Sequence, residues 1–139
     1  MKYVFEIKEK AIGKERPRYS SRTGRVYTPE ATRDFEEKVK WYFTRKYNIA
    51  TTLSEKPFKA KITAIFEPPA SASKKQKEEM LFKIDYTGKP DVDNIAKIIL
   101  DSLNGLAYKD DQQVSALLVF KNYGEENKIL VELEEIEEG

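Results

Sequence analysis

The fold is decided by residues 91–120, which read DVDNIAKIILDSLNGLAYKDDQQVSALLVF. Apolar side chains recur there at helical spacing, which predicts a helix over about residues 93–103 with Asn104-Gly105 as its C-cap. The uncharged run 114–120 that follows predicts a buried strand. Acidic residues stand at both ends of the helix, namely Asp91, Asp93, Asp110 and Asp111.

The segments on either side of this region complete a mixed fold. Alternation of apolar and polar residues predicts three further strands, over residues 2–8, 58–67 and 129–133. Thr28 as N-cap and Pro29 at the first helical position predict a second long helix that ends near Tyr47, and residues 74–82 suit a short helix. The order predicts an α+β fold (mixed α/β) in which a mixed sheet of about four strands packs with two main helices. At 139 residues the chain is expected to be a single domain spanning 1–139.

The charges are unevenly distributed along the chain, although the net charge is only +1. Residues 1–25 carry eight Lys or Arg against three Glu, whereas residues 124–139 carry seven Glu against one Lys. A basic loop over about residues 10–27 and an acidic C-terminal tail over about 132–139 therefore suggest a polyanionic partner on one side of the molecule. The tail has no assigned role: it could mask a basic surface or aid solubility.

The chain contains no His and no Cys, so any metal ion that it binds must be held by oxygen ligands. Mg²⁺ suits such a site, because it is typically held by one or two carboxylates together with substrate phosphates. Asp93, Lys97 and Asp101 are spaced four residues apart, which places them along one face of the predicted helix. The helix spans about 15 Å. Asp111 therefore returns beside Asp91 only if the next strand pairs antiparallel to the helix direction and brings it back.

The same acidic residues also have a purely structural interpretation. An aspartate at position 91 or 93 is an ordinary helix cap, charges four residues apart form ordinary surface pairs, and the acidic pair at 110–111 suits a turn. A calcium-binding loop is excluded, because its sixth position would fall on Ala96 instead of Gly and its twelfth on Ser102 instead of Glu. From the spacing alone, the metal-binding and the structural interpretation both stay open.

Basic and aromatic residues interleave in the N-terminal loop. Lys and Arg neutralise backbone phosphates, and Tyr stacks on bases or forms hydrogen bonds, so this loop is a candidate nucleic-acid contact. A solvated loop with no partner explains the same residues. The basic residues concerned are Lys14, Arg16, Arg18, Arg22 and Arg25, interleaved with Tyr19 and Tyr27.

Three blocks of the sequence, taken in order, closely resemble one known family. The specific block consists of KPDVDNIAK (89–97), LDSLNG (100–105) and YKDDQQV (108–114). The weaker blocks are GKERPR (13–18) with YTP (27–29), and SKK (73–75). These blocks resemble the RusA family of Holliday junction resolvases, which are crossover junction endodeoxyribonucleases.

The resemblance implies a Mg²⁺-dependent endonuclease, with Mn²⁺ as an alternative cation. It implies metal ligands at Asp91, Asp93 and Asp111, with Asp110 ranked below Asp111, and a catalytic lysine at Lys97. Such proteins act as homodimers that nick two opposed strands of a four-way DNA junction symmetrically. The implied DNA-binding residues are Lys14, Arg16, Arg18, Arg22, Arg25, Lys74 and Lys75.

Two other functions and a location complete the expectations. The chain could be a non-catalytic module that binds branched DNA, or a related nuclease that cuts other branched DNA. The N-terminus lacks the apolar core of a signal peptide, and the absence of Cys fits a reducing compartment, so we expect a cytoplasmic protein.

Overall fold

The computed structural model describes residues 1–48 and 52–137. These residues form six strands, two of them very short: β1 Lys2–Ile7, β2 Arg18–Tyr19, β3 Val26–Tyr27, β4 Phe58–Phe66, β5 Val114–Tyr123 and β6 Lys128–Glu135. They also form three α-helices: α1 Glu30–Lys46, α2 Lys74–Lys83 and α3 Val92–Ser102. A 3₁₀ turn over Asp111–Gln113 leads into β5. In the described ranges, no helix has the length and the hydropathy needed to cross a bilayer.

The four long strands form one mixed sheet in the order β1-β6-β4-β5. β6 runs antiparallel to both of its neighbours, whereas β4 and β5 are parallel. A parallel pair requires a crossover connection, and α2 and α3 both lie in the segment that joins β4 to β5. The predicted α+β fold, a mixed sheet of about four strands packed with two main helices, is confirmed.

One face of the sheet carries the core, and α1 and α3 cover it. The helices bury apolar stripes at helical spacing, which are Phe35, Val39 and Phe43 in α1 and Ile95, Ile98 and Ile99 in α3. Full burial of one such side chain contributes about 2–3 kcal/mol to stability. The N-cap of α1 is Pro29, whose ψ of 142° is extended, and no side chain caps the helix. The prediction of a Thr28 cap is therefore wrong, since the helix begins one residue later.

The opposite face of the sheet is open to solvent and carries alternating Lys and Glu. Lys59 and Lys61 of β4 lie opposite Glu134 and Glu132 of β6, with a distance of 3.9 Å between Nζ and Oε in each pair. The sequence predicted an acidic tail from residue 132, but residues up to Glu135 form the end of an interior strand. Residues 138–139 of the predicted tail lie outside the described residues. Cross-strand pairing with lysines thus gives much of the Glu-rich C-terminus a place in the sheet.

β5 differs most from its prediction. The sequence predicted a buried strand over residues 114–120, but Leu117, Leu118 and Phe120 are 44%, 55% and 43% exposed. There are two reasons: β5 is the outermost strand, so only one of its edges meets another long strand, and Leu118 and Phe120 lie on the sheet face that no helix covers. The prediction of a buried strand is therefore wrong for a single copy of the chain.

The N-terminal loop and α2 project from this body. β2 and β3 pair as a short antiparallel hairpin, which Gly24 helps to close with a φ of +68°. α2 has no buried residue. It forms in spite of the lysines in its first turn because Ser73 and Gln76 make a capping box. The Ser73 Oγ accepts from the Gln76 N–H at 3.1 Å, and the Gln76 Oε1 accepts from the Ser73 N–H at 2.8 Å.

Candidate metal and DNA-binding site

The N-terminal end of α3 holds two of the predicted metal ligands. Asp91 occupies the N-cap position, but its side chain caps no backbone N–H. Its Oδ1 accepts a hydrogen bond of 3.2 Å from Lys89, within an exposed salt bridge of the kind that contributes about 0–1 kcal/mol. Asp93 lies exposed in the first turn, and its carboxylate forms no hydrogen bond or salt bridge with the described residues. Because neither carboxylate is committed to capping the helix, both are available as oxygen ligands.

Lys97 lies on the exposed side of the same helix, one turn after Asp93. Its ammonium group makes no salt bridge within residues 1–48 and 52–137. The neighbouring Ala96 and Ile98 are buried in the core, so the backbone at Lys97 is fixed while its side chain stays in solvent. An aspartate and a lysine one turn apart therefore share an open surface.

Strand β5 holds the loop that precedes Asp91. The Lys121 Nζ donates to the carbonyl oxygens of Gly88 and Pro90 at 2.6 and 3.0 Å. This lysine belongs to the last part of β5, so the start of α3 lies beside the C-terminal end of that strand. The arrangement follows from the crossover, in which a helix runs back along the sheet before a parallel strand begins.

The N-terminal loop is held against the start of α3. A Cβ added at Gly13 would lie 3.0 Å from the Asn94 Cβ and 3.1 Å from the Pro90 Cβ, so any larger residue would force the loop and α3 apart by a few tenths of an ångström. The next residue, Lys14, donates its backbone N–H to the Asn94 carbonyl at 3.0 Å. The β2–β3 hairpin follows four residues later, so the loop anchored at the start of α3 leads directly into the basic element.

Lys14 itself lies among protein groups. Its Nζ is 3.1 Å from the Glu36 Oε2 and 3.7 Å from the Asp101 Oδ2, and the exposed fractions of these three side chains are only 18%, 18% and 24%. The cluster joins the N-terminal loop, α1 and α3. The sequence assigned Lys14 to DNA, but these long-range partners indicate a role in holding the loop to the two helices.

The other predicted DNA-binding residues are all exposed. Four arginines lie on and around the hairpin, and only Arg18 pairs with an acid in the described chain, through a 3.2 Å contact with Glu15. Two lysines lie in the first turn of α2. The exposed basic residues are Arg16, Arg18, Arg22, Arg25, Lys74 and Lys75.

The two acids of the second cluster have different surroundings. Asp110 caps the 3₁₀ turn, since its side chain accepts from the Gln112 N–H at 3.1 Å. The Asp111 carboxylate has no hydrogen-bond partner among the described residues. The Asp111 backbone N–H donates to the Asn104 Oδ1 at 2.7 Å, which fixes this residue just beyond the end of α3. Of the two, Asp111 is the acid with a free carboxylate.

The two predicted acidic clusters lie at opposite ends of α3. Asn104 marks the position of Asp111, because its side chain accepts a hydrogen bond from the Asp111 N–H. At about 1.5 Å of helix rise per residue, Asp93 and Asn104 are separated by about 16 Å along the helix axis. Within residues 1–48 and 52–137, no three His, Cys, Asp or Glu side chains form a group that could hold a metal ion. Within one copy of the chain, the described residues therefore do not bring Asp111 together with Asp91 and Asp93.

Tyr108 has a structural role in this region that was not predicted from the sequence. It is fully buried, and its hydroxyl donates to the Leu100 carbonyl at 2.7 Å. Burial raises the pKa of Tyr108, and the negative charges of Asp111 and Asp101 raise it further. The phenol therefore stays protonated and braces the C-terminal end of α3 beneath a negatively charged surface.

Exposed carboxylates and a lysine on one helix, together with an arginine-rich hairpin on a loop anchored to that helix, suit a protein that acts on a polyanion. The family model described as Endodeoxyribonuclease RusA matches residues 9–134. The chain therefore belongs to the RusA endodeoxyribonuclease family, and the resemblance inferred from its motifs is confirmed. It is also similar to a protein named "Uncharacterized protein YqaN" from Bacillus subtilis (strain 168), with 34% identity over 137 residues that cover 95% of each chain.

Proposed function

We propose that this protein is a single-domain, divalent-metal-dependent nuclease of the cytoplasm that resolves four-way DNA junctions by paired symmetric nicks. Family membership supports endodeoxyribonuclease chemistry. The observation that carries the proposal is the start of α3, where Asp91, Asp93 and Lys97 are exposed and where the loop that leads to the basic hairpin is anchored. Carboxylates alone repel a phosphate backbone, so DNA binding at this surface favours a cation between the carboxylates and the DNA.

Mg²⁺ is the proposed cofactor, with Mn²⁺ as a substitute. The donors fit a hard cation, because the chain offers oxygen ligands and no imidazole or thiolate. Asp91 and Asp93 would hold the ion together with a DNA phosphate. When bound, the cation polarises a phosphoryl oxygen and lowers the pKa of a coordinated water.

The third proposed ligand, Asp111, enters this site from a second copy of the chain. Its carboxylate is free, yet α3 separates it from Asp91 and Asp93 in its own copy. A homodimer with two-fold symmetry would supply the missing carboxylate twice, once to each site. Two equivalent sites related by a two-fold axis also match the two symmetry-related strands of a four-way junction.

The basic residues have two proposed roles. The Lys97 ammonium, one turn from Asp93, stabilises the negative charge that grows on the phosphate oxygens in the transition state. The exposed arginines of the hairpin and the lysines at the start of α2 bind backbone phosphates away from the reacting centre. Their contribution is sequence-independent and falls as salt rises.

A synthetic four-way junction tests this function. With Mg²⁺ we expect paired nicks at symmetric positions, and with EDTA none. Asp93→Asn should abolish nicking while junction binding persists. The matched control is Asp34→Asn, which removes the same charge from an exposed position on α1 and should cut normally. Normal cutting by the Asp93 variant would show that the site is misplaced.

Flap and plain duplex substrates of equal length distinguish the related functions. Preferential cutting of flaps would indicate a related nuclease that acts on other branched DNA, instead of a junction resolvase. Tight junction binding without products in Mg²⁺ or Mn²⁺ would indicate a binding module that has kept the fold.

A further inference from the structure

One edge of the sheet is open over part of its length. The segment before α3 covers only the end of β5: the Tyr86 N–H donates to the Lys121 carbonyl, and the Tyr123 N–H donates to the Ile84 carbonyl. Backbone groups of alternate residues point to the same side of a strand. The N–H and C=O groups of Leu117 and Val119 therefore also point outward, and no described segment pairs with them. We call residues 116–120 the open edge.

The other edge of the sheet is blocked at Val4, in the middle of β1. On β1, the Val4 N–H donates to the Tyr47 hydroxyl at 2.8 Å, and the Val4 carbonyl accepts from the same hydroxyl and from Lys46. The side chains of Lys46 and Tyr47, at the C-terminal end of α1, thus satisfy the outward backbone groups of Val4. No described side chain blocks residues 116–120 of β5 in this way, so β5 is the edge better suited to pair with another strand.

Within residues 116–120, the open edge lacks the features that protect an exposed strand. Monomeric proteins place charges, prolines or bulges at their sheet edges to prevent pairing with another chain. Residues 116–120 contain no charge and no proline, and the register shift of β5 lies before them, between Val114 and Ala116. Leu117 lies exposed on the helix side of β5, and Leu118 and Phe120 lie exposed on the other side. A strand with half-exposed apolar side chains on both faces and unpaired backbone groups indicates a surface that binds another polypeptide.

We propose that the open edge pairs antiparallel with the open edge of a second copy, so that two four-stranded sheets join into one of eight strands. The proposal names the dimer surface of the proposed nuclease and rests on that function only for its link to the site. Pairing about Leu118 runs over residues 116–120 and stops in both copies just before the covered Lys121. In this register Leu118 faces Leu118 of the second copy, and Phe120 faces the small Ala116 of the second copy.

The pairing has a consequence for the site. A two-fold axis between antiparallel strands stands perpendicular to the sheet, so both α3 helices come to the same face of the joined sheet. Antiparallel pairing also brings the start of one β5 toward the end of the other. Asp111 precedes the start of β5, and Asp91 lies beside its end, next to Lys121. The open edge thus directs Asp111 of one copy toward Asp91 of the other.

A single cysteine tests the pairing, because the chain has none of its own. Residues that face each other at a non-hydrogen-bonded antiparallel position have Cα atoms about 4.5 Å apart, which a disulfide spans. Under mild oxidation we expect Leu118→Cys to form a cross-linked dimer as the main species on a non-reducing gel. The matched control is Leu130→Cys, which is exposed on the same sheet face but lies on β6, two strands from the open edge. It should stay uncross-linked.

Light scattering on the parent protein and on Leu118→Glu completes the test, with circular dichroism to verify folding. We expect the parent at twice the chain mass of 16.1 kDa and the folded variant at 16.1 kDa. A monomeric parent, or cross-linking no greater at 118 than at 130, would overturn the proposal. These readouts involve no DNA, so a dimer that cuts nothing would contradict the proposed nuclease function and leave the interface intact.

Discussion

Lys14→Met tests whether Lys14 holds the N-terminal loop to the helices or contacts DNA. The substitution keeps an apolar stem and removes the ammonium that lies 3.1 Å from Glu36 and 3.7 Å from Asp101. The variant leaves two partly buried carboxylates without their shared cation. We therefore expect a loss of stability, with little direct effect on DNA affinity.

The magnitude follows from the burial of the cluster. At an effective dielectric of about 20, charges 3.1 and 3.7 Å apart attract by about 5 and 4 kcal/mol, and desolvation cancels much of this. Exposed pairs contribute about 0–1 kcal/mol, whereas breaking a buried pair costs about 3–5 kcal/mol. With side chains that are 18–24% exposed, this cluster lies between those limits, and we expect a loss of about 2 kcal/mol. For a chain of this length that loss lowers the melting temperature by about 6 °C.

Thermal unfolding followed by circular dichroism measures this change, and junction binding at several salt concentrations measures the role in DNA contact. The control is Arg22→Met, which removes an exposed cation from the same basic loop. This variant should melt within about 1 °C of the parent. The salt dependence of its junction binding should fall by about the amount expected for one lost phosphate contact. If Lys14→Met instead behaves like this control, Lys14 is a DNA contact and the argument from its ion pairs is refuted.

Three further predictions concern neighbouring parts of the molecule. Gly13→Ala places a Cβ 3.0 Å from another Cβ, so the loop must shift, and calorimetry should show a loss of about 1–3 kcal/mol; an unchanged stability would mean that the close contact is not tight. Asp110→Ala should cost about 1 kcal/mol as a lost cap and still cut junctions, whereas Asp111→Ala should fold normally and not cut; the reverse outcome would exchange the two assignments. The Ser54 hydroxyl and nearby positive charges lower the pKa of Glu135 below its ordinary value of 4.5. The ionised Glu135 carboxylate contributes its full stabilisation to the folded state above pH 4.5, and this stabilisation is lost as the pH falls through the lowered pKa. Glu135→Gln should therefore destabilise the protein at neutral pH, with the two melting temperatures converging in acid, and a difference that persists at pH about 2 would contradict this.

The elements whose signal is local could be predicted from the sequence. Alternation along 58–67 and helical spacing along 93–103 both reflect which side chains meet the core, and each needs only neighbouring residues. The short helix over residues 74–82 was also predicted, although its lysines oppose the helix dipole. The residues that overcome this penalty are Ser73 and Gln76, a capping box that the sequence shows three residues apart.

The features that depend on distant parts of the chain could not be predicted. An apolar run such as 114–120 looks the same whether its own chain covers it or a second copy does, so its exposure required the strand order. The position of Asp111 depends on where α3 ends relative to β5, which spacing does not reveal. Lys14 resembles its neighbouring arginines in sequence and differs only through Glu36 and Asp101, which lie 22 and 87 positions away.

The central claim is that the metal site is shared between two copies of the chain. Its most direct test mixes the Asp93→Asn and Asp111→Asn proteins, after subunit exchange verified by capture of a tag present on only one of them. In such a mixed dimer one site has Asp91 and Asp93 from one chain and Asp111 from the other, all intact. We predict that the mixture nicks one strand of a four-way junction in Mg²⁺, although each variant alone is inactive. A mixture that forms mixed dimers yet stays as inactive as its components would contradict the shared site.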